Sequence, residues 1–465
     1  MSRIKALFGA QDMTVGRPLD VLMRFSVPLL IGNFAQQLYN TVDSVIVGRY
    51  IGDTALAAVG TAGPILNLLL VLFMGIATGA SILSAQFFGA RDREQLSRTV
   101  GNTLLLVLGS GIGMSVIGYL LTPFLIGLTN PPAEVAEGAV IYLRIIFIGF
   151  LGGGAYNIIS GVLRGVGDSV NPLIYLILAS LLNIALDLYF VARLNMGIAG
   201  VAWATIIAQA LSGLLCVLRV LRMRDLMEIS RRTLRPEGMI LRKLCGLGIP
   251  AGVTSAIFSA SAILVQGLVN SMGTAVIATN VAVMRVDGFA MMPNFTFGTA
   301  ATTYTGQNIG ARETARLKSG MKDMLKLALT VSVILVLGII LFGKNLISLF
   351  TQTPEVIELG RQGLLWLSFG YICFSVTQVL QGVMRGAGDT LVPMWISIIC
   401  TVILRMPLAY LLAGLTRSAE FPQGSPQAIF ASLLISWVMG MLMSVAAYRI
   451  GFWRKKLPED MAREM

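Results

Sequence analysis

The chain is 465 residues long, 55% hydrophobic and only 12% charged, about half the charge of a soluble chain of that length. That balance excludes an ordinary soluble protein and indicates an integral membrane one. The net charge is +12 and histidine is absent, so any proton chemistry has to run through carboxylates rather than imidazole.

Apolar stretches of about 20 residues, each long enough to cross a bilayer core, recur from end to end. Residues 1–20 are polar and basic and contain Asp12 and Asp20. They lack the apolar core and small-residue cleavage site of a signal peptide, so the first span is expected to act as the insertion signal. That span, 22–48, carries Asn33, Gln36, Gln37, Tyr39, Asn40 and Asp43. Positions 33, 36, 40 and 43 recur at three and four residues and share one helix face. Lipid rejects such a face, so it is expected to line a cavity or another helix; interhelical glue is the plainer account of the amides. Asp43 needs a partner or water to stay charged.

Spans two and three, 54–83 and 95–123, are joined by Gly89-Ala90-Arg91-Asp92. This is expected to be a tight turn in which Gly supplies the backbone freedom and the acid sits at the positive end of the next helix. Thr129-Asn130-Pro131-Pro132 forms an outer turn before span four, 134–160, which contains Arg144 and Asn157. Arg144 is expected to snorkel or to pair with an acid. Span five, 170–192, places Asn183 and Asp187 one turn apart on one face, and span six, 197–221, supplies Thr205 and Gln209. A carboxylate, an amide oxygen, a hydroxyl and a second carboxylate are hard oxygen donors that suit an alkali cation. A proton shared between Asp43 and Asp187 is the alternative, and simple neutralisation of an arginine by Asp187 is a third.

The basic connection at 222–240 breaks the hydropathy and is expected to tolerate sequence change, since it has only to bridge two halves. Spans seven to twelve follow at 242–270, 275–305, 316–343, 356–382, 391–415 and 425–450, with boundaries good to about four residues. Gly161 to Pro172 (GVLRGVGDSVNP) returns as Gly382 to Pro393 (GVMRGAGDTLVP), about 221 positions on. The same spacing pairs 86–91 with 307–312 and Asn157 with Gln378, and Pro28 matches Pro250 with one residue of slack. One module is used twice, which in a membrane protein points to two halves around a central site. Asp168 and Asp389 in the duplicated turn are expected to cap the following helices. A nucleotide-binding role for its glycines fails, because no strand precedes them and the phosphate-loop Lys is missing.

The second half keeps the turns and loses the acids. Span seven has no carboxylate between Pro250 and Asn270, and Leu408 stands at the offset of Asp187. Span eight carries Arg285 and Asp287, either a structural ion pair or a part of substrate or ion passage. Cation chemistry is therefore expected in the first half. Most Lys and Arg fall at the termini and in the even-numbered connections, the asymmetry of the positive-inside rule; both termini are expected on the cytoplasmic side, and no nucleic-acid partner is needed to explain the charge. Cys216, Cys245, Cys373 and Cys400 lack pair spacing, so neither disulfides nor a zinc site is indicated.

The fold class that follows is an all-α integral membrane protein with twelve transmembrane helices in two homologous six-helix lobes. Its expected parts are an N-terminal segment 1–20, a lobe 21–222, a linker 223–240, a second lobe 241–450 and a tail 451–465. Twelve spans in two halves, the polar first span ending in Asp43, the duplicated Arg-Gly-x-Gly-Asp turns and the Gly-Gln-Asn-Ile-Gly-Ala stretch at 306–311 together resemble a bacterial multidrug and toxic compound extrusion (MATE) transporter, over residues 15–450. The resemblance implies two lobes around a central cleft, alternating access, and export of amphipathic, often cationic organic compounds against an inward Na⁺ or H⁺ flow. Asp43, Asn183, Asp187 and Thr205 match, residue by residue, the first-lobe cation or proton site of one branch of that family. The branch with a Glu on span seven is not matched.

By the same resemblance Gln36, Tyr39, Asn40 and Asn157 are substrate-lining positions; Arg285, Asp287 and Gln378, read from the sequence itself, are polar candidates in the second lobe. No cofactor and no metal beyond Na⁺ is implied, nor is an enzyme: there is neither a metal-ligand cluster nor a Gly-x-Ser-x-Gly elbow. The expected setting is the bacterial cytoplasmic membrane, with lipid and small organic cations as partners of a monomer. The alternative is a lipid or lipid-linked saccharide flippase of the same superfamily. That would favour a basic central cavity, against the few intramembrane cations Arg144, Arg285 and Arg405.

Overall fold

A helix rises about 1.5 Å per residue, so the 33-residue helix Pro18–Tyr50 (α1) crosses a bilayer with turns to spare. The computed structural model describes residues 9–129, 131–418 and 421–464, and they are almost entirely helical. Asn130 of the expected outer turn lies outside the described residues, as do residues 1–8 and 465 of the expected terminal segments. The first half continues with Asp53–Gly89 (α2), Arg93–Thr129 (α3), Ala133–Ile148 (α4), Phe150–Gly165 (α5), Val170–Asp187 (α6) and Gly197–Arg222 (α7). The second contains Gly238–Ser271 (α8), Thr274–Gly310 (α9), Thr314–Ser348 (α10), Pro354–Gly386 (α11), Leu391–Ile398 (α12), Arg405–Leu415 (α13) and Gln427–Ile450 (α14), then the short Glu459–Glu464 (α15). Among the described residues ten helices are long and apolar enough to cross a membrane, eleven when the bent pair α4–α5 counts as one. With α1, whose length suffices but whose polar stripe lowers its apolarity, twelve helices make six per half: a multi-pass membrane protein.

The chain divides into two units. One joins the residues up to Met13 to Arg24–Gly252; the other joins Thr14–Met23 to the chain from Val253 onward. In the first unit the core gathers around Phe73, Leu143, Phe147, Phe150 and Ile158. In the second it gathers around Leu367, Tyr371, Phe374 and Trp437.

The duplicated motif is a packing device as well as a turn. Gly161 and Gly165 lie one turn apart on α5 and let it press onto α2. A methyl at Gly165 would stand 2.5 Å from the Ser81 carbonyl oxygen, and one at Gly161 would collide with that of Ala77. On α11, Gly382 and Gly386 repeat the arrangement against Gly298 and Thr302 of α9, again 2.5 Å from the Thr302 carbonyl oxygen. Small residues at this spacing let helix backbones approach where lipid offers no hydrophobic drive for association. Beyond each pair the chain reverses at Gly167 (φ 85°) and Gly388 (φ 91°), a left-handed conformation that glycine adopts without penalty. Asp168 Oδ1 then accepts from the Asn171 N–H and Asp389 Oδ1 from the Val392 N–H, both at 3.1 Å. The expected caps are present.

Three local expectations need correction. In the turns at 89–92 and 310–313 the left-handed residue is Arg91 (φ 55°) and Arg312 (φ 59°), while Gly89 and Gly310 end their helices. Span four is not one straight helix: it breaks by 55° at Gly149, where glycines at 149, 152, 153 and 154 weaken the helix and give a bend little resistance. The connection after α7 is tied down rather than loose. The Ser97 hydroxyl accepts from the Glu228 N–H at 2.8 Å, Asn102 Oδ1 accepts from the Glu237 N–H at 2.8 Å, and Arg98 pairs with Glu237 at 3.1 Å. Gly101 leaves room for the Thr233 carbonyl, which a side chain would strike.

Candidate functional site

Helix α6 carries Asn183 and Asp187 one turn apart, and both are fully buried. With its amide turned to satisfy both ends, Asn183 donates to Asp187 Oδ2 at 2.8 Å and accepts from the Thr205 backbone N–H at 3.2 Å. The Thr205 hydroxyl, on α7, donates to the Val201 carbonyl at 2.9 Å. From α1, Asp43 reaches the same place: its carboxyl lies within hydrogen-bonding reach of that of Asp187. Tyr39, one turn before Asp43, lies within reach of the Thr205 side chain. Four residues that the sequence places on three separate spans are thereby brought together inside the first unit.

Oδ1 of Asp43 and Oδ1 of Asp187 are both buried and find no donor. Neither carboxylate forms an ion pair with an arginine or lysine among the described residues, so neutralisation of an arginine by Asp187 does not occur. Two buried carboxylate oxygens without a donor, on carboxyl groups within reach of each other, call for positive charge. The two carboxylates and the Thr205 hydroxyl are oxygen ligands of the kind that fits an alkali cation, while the Asn183 amide nitrogen faces Asp187; a single proton bridging the two carboxyls fits equally. Immediately after Asp187 the helix widens into a π-turn, Leu188–Arg193, a local irregularity found mostly at functional positions.

One member was not foreseen. Tyr142 of α4 is buried and interacts electrostatically with both Asp43 and Asp187. In the sequence it stands between Ile141 and Leu143 and carries no mark that separates it from core.

The remaining candidates are more scattered. Gln36 and Asn40 are exposed along the stripe of α1. Asn157, half-buried on α5, donates to the Gly153 carbonyl of its own helix at 2.9 Å. In the second unit Gln378 is buried and helps line a cavity of about 30 Å³ with Thr377, Gln381, Cys400 and Thr401. Arg285 and Asp287 form no ion pair, which corrects the structural-pair account: residues two apart on a helix point to different sides. Arg285 is exposed, whereas Asp287 faces the buried Tyr371 of α11 and interacts with Arg405, whose Nη1 meets the Ser261 hydroxyl at 3.5 Å.

Comparison with known proteins agrees with this fold. A sequence model of the MatE family matches the chain twice, at residues 28–189 and 250–411, so the repeat is a repeat of the family's own module. "Probable multidrug resistance protein YpnP" of Bacillus subtilis is 31% identical over 96% of this chain and 98% of its own length. "Probable multidrug resistance protein YoeA" of the same organism is 30% identical over 93% of each. Among solved structures, an outward-facing multidrug resistance MATE family transporter of the MOP superfamily has a TM-score of 0.87 at 24% identity, covering 96% of this chain and 99% of that one. A MATE crystal structure in complex with MaD3S has a TM-score of 0.88 at 23% identity, covering 98% and 99%. The fold and the family match define a membrane transporter built from two homologous six-helix lobes. The chain belongs to the MatE family, the multidrug and toxic compound extrusion transporters.

Proposed function

We propose that the protein is a cation-coupled antiporter that exports amphipathic, often cationic organic compounds across the bacterial cytoplasmic membrane by alternating access, with both termini in the cytoplasm. The observation that carries this reading is the meeting of Asp43 and Asp187, each with a buried oxygen that no protein donor satisfies. Asp43, Asn183, Asp187 and Thr205 hold the coupling ion, Na⁺ or H⁺, and Tyr39 and Tyr142 orient their hydroxyls toward it. Gln36, Tyr39, Asn40 and Asn157 contact the substrate. Binding of the ion removes negative charge from the site and weakens its attraction for a cationic compound. Helix α1 then repacks, bending at Pro28, which lacks a backbone N–H. A few kcal/mol of differential affinity between two conformations is enough to bias such a switch.

Purified protein in proteoliposomes, loaded with a fluorescent organic cation and given an Na⁺ or a pH gradient separately, tests the reading. Saturable transport driven by one of the two is expected. Lipid scrambling without movement of the dye would contradict it in favour of a flippase.

A further inference from the structure

Outside the carboxylate site, the first unit carries a cavity of about 500 Å³ between α3 and α4, lined by Pro123, Ile126, Gly127, Glu137, Ile141 and Arg144 among others. Its two charged lining residues lie seven positions apart on α4, two turns and about 10.5 Å of rise, and so on one face of the helix. Arg144 forms no ion pair among the described residues, and its Nε is buried without a partner. Its guanidinium lies over the Tyr119 ring, 5.2 Å from the centroid, a contact that steadies a cation without neutralising it. Glu137 is exposed nearer the start of the helix. Arg144 and Glu137 thus both line this cavity from α4.

The surroundings identify the medium that the cavity opens to. Ile117, Leu120, Phe124 and Leu128 recur at three and four residues on α3 and are 55 to 70% exposed. A face of that kind within a membrane span meets acyl chains. The cavity is lined from the same helix by Pro123, Ile126 and Gly127; an unpaired guanidinium within a membrane span is a costly group unless an anion reaches it, and beside acyl chains the available anion is a lipid phosphate. A carboxylate in the same cavity disfavours a headgroup of net negative charge and fits an ammonium.

We propose that this cavity binds a zwitterionic aminophospholipid, its phosphodiester held by Arg144 through charge-assisted hydrogen bonds, its ammonium by Glu137, and its chains lying along α3. The site is separate from the ion pathway and does not depend on the direction of transport.

The test uses the full-length protein, delipidated in detergent and offered phosphatidylethanolamine and phosphatidylglycerol with the same acyl chains, with retained lipid counted by native mass spectrometry. Wild type is expected to retain phosphatidylethanolamine at least about tenfold better. Arg144→Gln should lose that retention by about tenfold, Arg144→Lys should keep most of it, and Glu137→Gln should retain the two lipids alike. Retention of phosphatidylethanolamine by Arg144→Gln at the wild-type level overturns the proposal. So does an undiminished preference in Glu137→Gln, which decides the matter even if Arg144→Gln fails to give a monodisperse particle, because Glu137 is exposed. Displacement of the lipid by an equal concentration of free phosphoethanolamine would also overturn it, since the chains would then contribute nothing.

Discussion

Arg219 Nε donates to Asp168 Oδ2 at 3.0 Å, and the aspartate that receives it is fully buried. The same carboxylate caps α6 and holds the Asn171 side chain at 2.8 and 2.9 Å. One acid therefore joins the duplicated turn of the first unit to the end of α7. Its counterpart Asp389 keeps the cap but forms no ion pair among the described residues.

Removing Asp168 takes away both this ion pair and the cap, whereas loss of a cap alone costs about 0.5–2 kcal/mol. Asp168→Ala is accordingly expected to lower the unfolding temperature of the purified protein clearly more than Asp389→Ala. Thermal unfolding of the two variants side by side checks this, and equal losses would contradict it.

The paired glycines allow a stricter comparison. Gly165→Ala and Gly386→Ala each place a methyl 2.5 Å from a backbone carbonyl oxygen, and overpacking of this kind costs about 1–3 kcal/mol. At Gly109 a methyl meets nothing within 4 Å. Both packed substitutions should reduce thermal stability while Gly109→Ala, free of any clash and inside helix α3, holds or slightly raises it. Stability indistinguishable among the three would mean that the helices are not held together at these points.

Asn102 bears on the connection between α7 and α8. Its Oδ1 accepts from the Glu237 N–H and its Nδ2 donates to the Arg98 carbonyl at 2.9 Å, so a side chain of α3 caps the start of α8. Asn102→Ala is expected to cost about 0.5–2 kcal/mol and to speed proteolysis within 223–237. Unaltered cleavage there would contradict this role of Asn102.

Much of the fold was legible because its signals are repetitive. A span announces itself by length and apolarity, and the turn duplicated at 161–172 and 382–393 fixed the two-lobe division. Asp43, Asn183 and Asp187 stood out as candidates because ionisable and amide groups are rare inside spans, whereas Thr205 was joined to them by the family resemblance. Tyr142 was not, since a tyrosine among apolar neighbours has no sequence mark of the face it takes. The bend at Gly149 and the π-turns at 188–193 and 399–404 were also hidden, because they depend on which helix packs against which. Arg285 and Asp287 misled by adjacency: closeness in sequence at a spacing of two is separation on a helix.

The central claim is that the ion site lies in the first unit at Asp43 and Asp187. Gradient-driven export by Asp43→Asn, Asp187→Asn, the double variant and Asp287→Asn in proteoliposomes, each at matched protein incorporation, tests it most directly. Both first-unit variants should insert and fold yet lose export, and the double variant should lose little more, because the two carboxylates act through one site. Asp287→Asn should have a milder effect. Normal export by Asp43→Asn and Asp187→Asn, together with failure of Asp287→Asn, would contradict the account and move the ion pathway to the second unit.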